Sequence, residues 1–366
     1  MRAATAAVLC GMVLAAEGTA VESVQVPKVR LSQGPVARKG YHWNMPAENP
    51  SGTRILYVRW PDGLKGKAQI VACKTDGSEQ QVVVDDSFGS THTGAMIHWL
   101  NDGQFVHRGK DRDIVVRNLA DGSVVRRIDC GTVGPVDYNE KTRKILAGSY
   151  ENGDVWAVDP FTGDKRKILD LAAFEPWKAK MKGTVPNCIW HRYWNPSGTH
   201  VWVKLERPEY GFTFAADGSE VRFFPDAGSH PAWWDDRRIY RGGRLYEPGR
   251  RDTKIIVARS ERDLCHPGYS PDRRWVAGES DYDSNPVVLA VDYVGPDGKR
   301  KQYQLDETRQ VKWIWQHKFH VDASFSRDGN RIYVNWPVSD TENGVFCYDI
   351  SALRRANQAV GDKQRR

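Results

Sequence analysis

Four stretches of the chain repeat one layout and set an imidazole or a carboxylate at the same seat in it. They read His191-Arg-Tyr-Trp-Asn-Pro-Ser-Gly, His230-Pro-Ala-Trp-Trp-Asp-Asp, His266-Pro-Gly-Tyr-Ser-Pro-Asp and Asp322-Ala-Ser-Phe-Ser-Arg-Asp-Gly, each followed by a short β-branched or aromatic run. Repeats stacked about an axis carry equivalent positions to a common centre, so residues scattered along the chain predict one cluster. Imidazole and carboxylate groups gathered in this way can ligate a divalent cation or exchange protons with a substrate. His266, with His317, His320 and Asp322, makes a donor set suited to Mn, Zn, Fe or Ca. In an extended strand His320 and Asp322 share a face, because side chains alternate with period two; His317 joins them only if the loop bends. Arg192 and Arg207, near the histidine-bearing strands, offer the forked geometry that a carboxylate prefers.

The remaining histidines carry less. His98 and His107 flank a turn and its following strand and read as surface or packing residues. His92 belongs to the polar loop Ser90-Thr-His-Thr-Gly, which can reach the same mouth. Many of the fourteen Trp residues stand near the strand starts, where Trp194, Trp233 and Trp234 read as core. No phosphate-cradling glycine loop, nucleophile elbow or HExxH helix is present in the sequence. The carboxylate pairs Asp85-Asp86 and Asp235-Asp236 sit at strand ends or turns, which argues against a glycosidase.

The elements that must position the cluster are short strands. Seven turn signals, from Pro50-Ser51-Gly52 through Pro196-Ser197-Gly198 to Asp328-Gly329, each stand between two strand-like runs such as Arg54-Ile-Leu-Tyr-Val and Arg331-Ile-Tyr-Val. Most units add a second hairpin, for example Gln69-Ile-Val-Ala-Cys, Thr75-Asp-Gly and Gln80-Gln-Val-Val-Val. Repeated units of this kind predict an all-β, seven-bladed β-propeller with four-stranded blades rather than a sandwich, which does not repeat itself. The first strand of a blade lies nearest the axis. Met45, Met96, the Gly134-Pro135 step, His191, His230, His266 and Asp322 then ring one mouth of the channel. Leu169 to Asn187 reads as a short helix over one face.

Composition sets the bounds. The chain has 366 residues, of which 40% are hydrophobic and 27% charged, as in a folded globular protein. Residues 1–20 carry Arg2, an apolar run from Ala3 to Ala16 and then Gly18-Thr19-Ala20, the pattern of a secretory signal cut before Val21. The expected organisation is a signal at 1–20, a propeller at 21–353 and a basic, frayed tail at 354–366, in a periplasmic or extracellular protein without a membrane span. Five cysteines follow residue 20 with no CxxC spacing, and buried free thiols are the reading. The formal net charge of +7 on an exported protein points to an acidic glycan rather than to nucleic acid.

Three stretches resemble the oligogalacturonate lyase family of polysaccharide lyases: Gly228-Ser229-His230-Pro-Ala-Trp, His266-Pro-Gly-Tyr-Ser-Pro-Asp, and Gln316-His317-Lys-Phe-His320-Val-Asp322-Ala-Ser-Phe-Ser-Arg-Asp-Gly. The repeated turns also resemble those of TolB-type propellers. The first resemblance implies a manganese ion held by one histidine matching His266 and by a Gln-x-x-His-x-His-Pro stretch in the following blade. That stretch falls on His317, His320 and Asp322, so two of its three ligand types are replaced. It further implies β-elimination on a uronate, with His230 as base, Arg207 assisting, and His191 or Tyr193 returning a proton to the leaving oxygen. The expected substrate is an acidic oligo- or polysaccharide and the expected cofactor a divalent metal, Mn before Zn or Ca. The TolB likeness implies an alternative: a non-catalytic propeller binding glycan or protein at the same mouth.

Overall fold

The computed structural model describes residues 21–40, 45–131, 134–148, 153–181, 189–205, 210–224, 231–241, 244–248, 255–256, 264–280, 284–295, 300–309, 316–317 and 319–364. The N-terminal segment read as a signal lies outside them.

Strand boundaries follow from side chains that gather the amides of the turns. Asn49 Oδ1 accepts the backbone N–H groups of Thr53 and Arg54, both at 2.8 Å, and Asn195 Oδ1 accepts those of Thr199 and His200 at 2.8 and 2.9 Å. Ser270 and Ser326 accept in the same way from Trp275 and Arg331, at 3.0 and 2.9 Å. Such side-chain acceptors stop one strand and launch the next. Gly52, Gly198 and Gly329 lie in these turns at φ of 69, 72 and 75°, a left-handed region that glycine enters freely. In the equivalent turn after Tyr269, Arg273 fills that seat at φ 57°.

The strands assemble mostly into four-stranded antiparallel sheets. One runs His98–Asn101, Gln104–Arg108, Ile114–Asn118, Val124–Ile128; the next begins at Pro135–Asn139, the next at Ile189–Trp194 and the next at Ala232–Trp233. A fifth, opened by Cys265–Tyr269, gains Glu22–Ser23 as a parallel edge strand. An eight-stranded sheet joins Ser324–Phe325, Arg331–Pro337 and Asn343–Asp349 to the four strands between Val36 and Ser87 through a single bridge, Asn343 to Val36. Lys28–Arg30 also pairs with Asn343–Asp349, so residues near both chain ends share one sheet.

Packing turns these sheets into a ring. Leu100, Val106 and Val116 of one sheet meet Ile145, Ala147 and Val158 of the next. Tyr193, Trp202 and Phe224 meet Trp233 and Ile239, while Trp234 and Tyr240 meet Tyr269 and Val276. Tyr333, Val345 and Cys347 pack on Ala37, Ile55 and Tyr57, which brings the last strands back to the first. Burying both faces of each sheet in this way supplies the main favourable term of folding. The first strands of successive sheets touch one another and line the axis.

Two segments differ in kind from the strands. Leu171–Met181, within the expected helix, is a 3-10 helix that buries Phe174 and Met181. The region expected to fray from residue 354 is instead part of a helix, α1 (Ser351–Gln364). Arg354 holds Asp272 at 2.8 Å and Asn357 accepts from the Tyr303 hydroxyl at 2.8 Å, contacts that dock the helix and offset its ordering entropy. Cys73, Cys130 and Cys347 carry free thiols, and burial pushes those of Cys73 and Cys347 up to about 12, which leaves them inert. No helix among the described residues is long and apolar enough to cross a membrane.

Candidate metal centre

At one mouth the axial strands start with a shared distortion. Met96, His266 and Asp322 stand at φ of 53, 43 and 50°, and Gly134 at 115°. These are four of the positions that the repeat alignment made equivalent. For an L-residue this conformation costs roughly 1–2 kcal/mol, and such strain gathers at functional sites. His191 reaches the same mouth by another device, a register shift between Ile189 and His191.

His266 and His320 meet here, with ring centroids 4.2 Å apart. Glu279, the last residue of the strand Trp275–Glu279, contacts His266 Nδ1. One ligand atom from each of His266, Glu279 and His320 falls within 4.8 Å of the other two. With its Nδ1 against the carboxylate, His266 keeps Nε2 as the ring nitrogen for a metal, the arrangement by which a carboxylate fixes a metal-binding imidazole. Burial, the largest single influence, pulls the His266 pKa down, but Glu279 and then Asp322 outweigh it and the net shift is upward. His92 lies beside His320 at 4.8 Å between centroids, so the polar loop of residues 90–94 does reach this mouth.

Asp322 is placed differently from a plain ligand. It forms a fully buried ion pair with Arg38. Asn335 binds the pair into the site, donating to Asp322 at 3.4 Å and to the His320 carbonyl at 2.8 Å, and accepting the Lys39 N–H at 2.7 Å. Asp322 and Arg38 therefore hold the backbone from which His320 projects. Lys39 Nζ donates to Ser324 Oγ at 2.7 Å; burial lowers its ammonium to about 7, against the pull of Asp322. His317 is half-buried in a helical turn and stands outside the three-residue group. Glu279, Arg38 and Lys39 were not anticipated from sequence. Their one signal is a charged residue in a strand buried at every position or nearly so, as in Trp275–Glu279 and Val36–Lys39.

His191 Nδ1 and the Tyr193 hydroxyl are hydrogen-bonded at 2.9 Å with their rings stacked, both residues buried. His230 and Arg207 lie outside the described residues, as does Cys188. His98 and His107 are buried, and burial lowers both to about 4. His107 Nε2 accepts from Arg117 Nε at 3.0 Å, which leaves Nδ1–H to donate to the Arg108 carbonyl at 2.8 Å, the bonding of a neutral packing residue.

Toward the opposite mouth, Asp137 is buried and its Oδ2 accepts the Trp194 N–H at 2.6 Å. Burial raises its carboxyl to about 7, partly opposed by the Trp194 and Tyr138 amides. A carboxyl whose folded pKa exceeds its unfolded value of 3.8 gives full stability below that value and loses it as pH rises toward 7. Asp137→Asn keeps an oxygen for Trp194 and removes the ionisation. Thermal and urea unfolding should show the variant gaining on the wild type between about pH 4 and 7, by up to ~4 kcal/mol.

No protein-family model matches the chain, and no curated protein matches its sequence. Among solved structures, an oligogalacturonate lyase in complex with manganese is similar at 16% identity and a TM-score of 0.62, over 91% of this chain and 96% of that one. The oligogalacturonate lyase of Vibrio parahaemolyticus is similar at 16% identity and 0.61, over the same shares. The β-propeller domain of Cps50 from Myceliophteria thermophila gives 11% and 0.53, over 87% of this chain and 99% of that one. The chain is accordingly an all-β propeller, similar in fold to oligogalacturonate lyase.

Proposed function

We propose that this protein is an exported lyase that cleaves a uronate-containing acidic glycan by β-elimination, at a divalent-metal site on the mouth formed by the heads of the axial strands. The observation that carries the reading is the convergence of His266, Glu279 and His320 within 4.8 Å. Two imidazoles and a carboxylate suit Mn or Zn better than an all-oxygen Ca site. His266 and His320 would hold the ion, with Glu279 fixing the His266 ring. A bound cation would neutralise the uronate carboxylate and so make its α-proton more acidic. Export rests on the signal-like pattern of residues 1–20. We read the eight-stranded sheet as two blades sharing one bridge, which makes seven.

The chain's own groups supply the proton transfers. His230 takes the proton α to the carboxylate, worth about 10²- to 10⁴-fold. Arg207 balances the charge that grows on the carboxylate. As the C–H electrons form the new double bond, the glycosidic C–O bond breaks. The buried His191–Tyr193 pair returns a proton to the leaving oxygen, with the tyrosine hydroxyl already bonded to the imidazole. A second reading, a non-catalytic propeller that binds glycan or protein at this mouth, is favoured by the commitment of Asp322 to Arg38 rather than to a metal.

Incubation with pectate fragments, ulvan and glycosaminoglycans, with and without chelator, separates the two. The lyase produces the ultraviolet absorbance of an unsaturated uronate on at least one glycan, and chelator removes it. Binding without absorbance on every acidic glycan establishes the second reading instead.

A further inference from the structure

The channel has a second mouth, at the far ends of the same strands, and its chemistry differs from that of the histidine site. A cleft of about 370 Å³ there is lined by Met45, Tyr138, Lys141, Trp233 and Arg273 among others, and it adjoins a cleft of about 290 Å³ that shares Met45 and Arg273. The first volume falls within the roughly 300–1,000 Å³ typical of small-ligand pockets. Met45 packs against the Met96–Val136 group and against the group that holds Trp233.

Arg273 is the group that calls for a ligand. It is half-buried and sits in the left-handed seat that Gly52, Gly198 and Gly329 fill in equivalent turns. Among the described residues its guanidinium makes no hydrogen bond or ion pair; it lies over the Tyr269 ring at 5.6 Å. The carboxylates whose charge reaches it, Asp235 and Asp272, are bonded to other arginines, Arg238 at 2.6 Å and Arg354 at 2.8 Å, and Glu140 in the same cleft is held by Arg327 at 2.5 and 3.1 Å. A partly desolvated cation in a cleft that also holds the half-buried Tyr138 ring suits a sugar that carries a carboxylate.

We propose that this second mouth binds one hexuronate unit, its carboxylate on Arg273 and its ring in the cleft against the half-buried Tyr138. The choice of a uronate among carboxylates rests on the proposed function, whereas the anion site does not. Bound there, a glycan end would be anchored away from the chemistry.

Calorimetric titration with galacturonate and glucuronate tests this, using the wild-type protein, His266→Ala, Arg273→Gln and Arg273→Gly. The glycine variant relieves the left-handed backbone, so its melting temperature should be no lower than that of the wild type. At least one uronate should bind the wild type and His266→Ala alike, and both Arg273 variants about tenfold more weakly or worse. Methyl galactoside, which lacks the carboxylate, and acetate, which lacks the ring, should each bind about tenfold more weakly than the uronate. Uronate affinity unchanged in Arg273→Gly overturns the proposal, as does its loss in His266→Ala or equal binding of either control. Arg273-dependent binding without lyase activity on any glycan would remove the proposed function and leave this site standing.

Discussion

His266→Ala should reduce eliminative turnover by roughly 10³-fold or more and abolish tight divalent-metal binding, because it deletes the imidazole around which the site is arranged. The change also leaves the Glu279 carboxylate buried without the ring it contacts, a costly state in a site where both residues are nearly inaccessible. Pairing it with Glu279→Gln removes that buried charge. The double variant should therefore melt closer to the wild type than the single one while remaining inactive. Glu279→Gln alone should be milder. It keeps the shape of the side chain but weakens its hold on Nδ1, and metal affinity should fall about 10- to 100-fold. Turnover and metal titration on the same preparations check both statements; full activity in His266→Ala would remove the site.

The second large effect is on stability. Arg38 and Asp322 are both 0% exposed and paired, so Asp322→Ala takes the paired carboxylate from a buried guanidinium, at a cost of about 3–5 kcal/mol. Urea unfolding should show that loss directly. Replacing both partners, Arg38→Met with Asp322→Leu, should recover most of it, since a buried pair often does little better than apolar side chains of similar size. Metal affinity should not recover in step, because Asn335 then loses a partner in the network that holds the His320 backbone. A single variant as stable as the wild type would show that the pair is not desolvated in solution.

Much of the fold was legible because its signals are local. The Pro-Ser-Gly turns, the β-branched runs after them and the recurrence of both along the chain are written within a few residues. The seat shared by His266 and Asp322 was legible for the same reason, and their positive φ values reflect it. Partner choice was not. Arg38 and Asp322 are 284 residues apart, and nothing near either announces the other. Asp322 reads as a ligand from its motif position, yet an arginine from the first axial strand claims it. Glu279 went unseen because it lies one strand outward from the aligned position, where only its charge in an apolar run sets it apart. The helical course of Ser351–Gln364 depends on Asp272 and Tyr303, contacts that a basic terminal segment does not advertise.

The most direct measurement is an anomalous difference map from crystals soaked in manganese. A single strong peak is expected within bonding distance of His266 Nε2 and the His320 ring, absent in the His266→Ala protein. A map with no peak between those two rings, from crystals whose protein is folded and saturated with the ion, would contradict it.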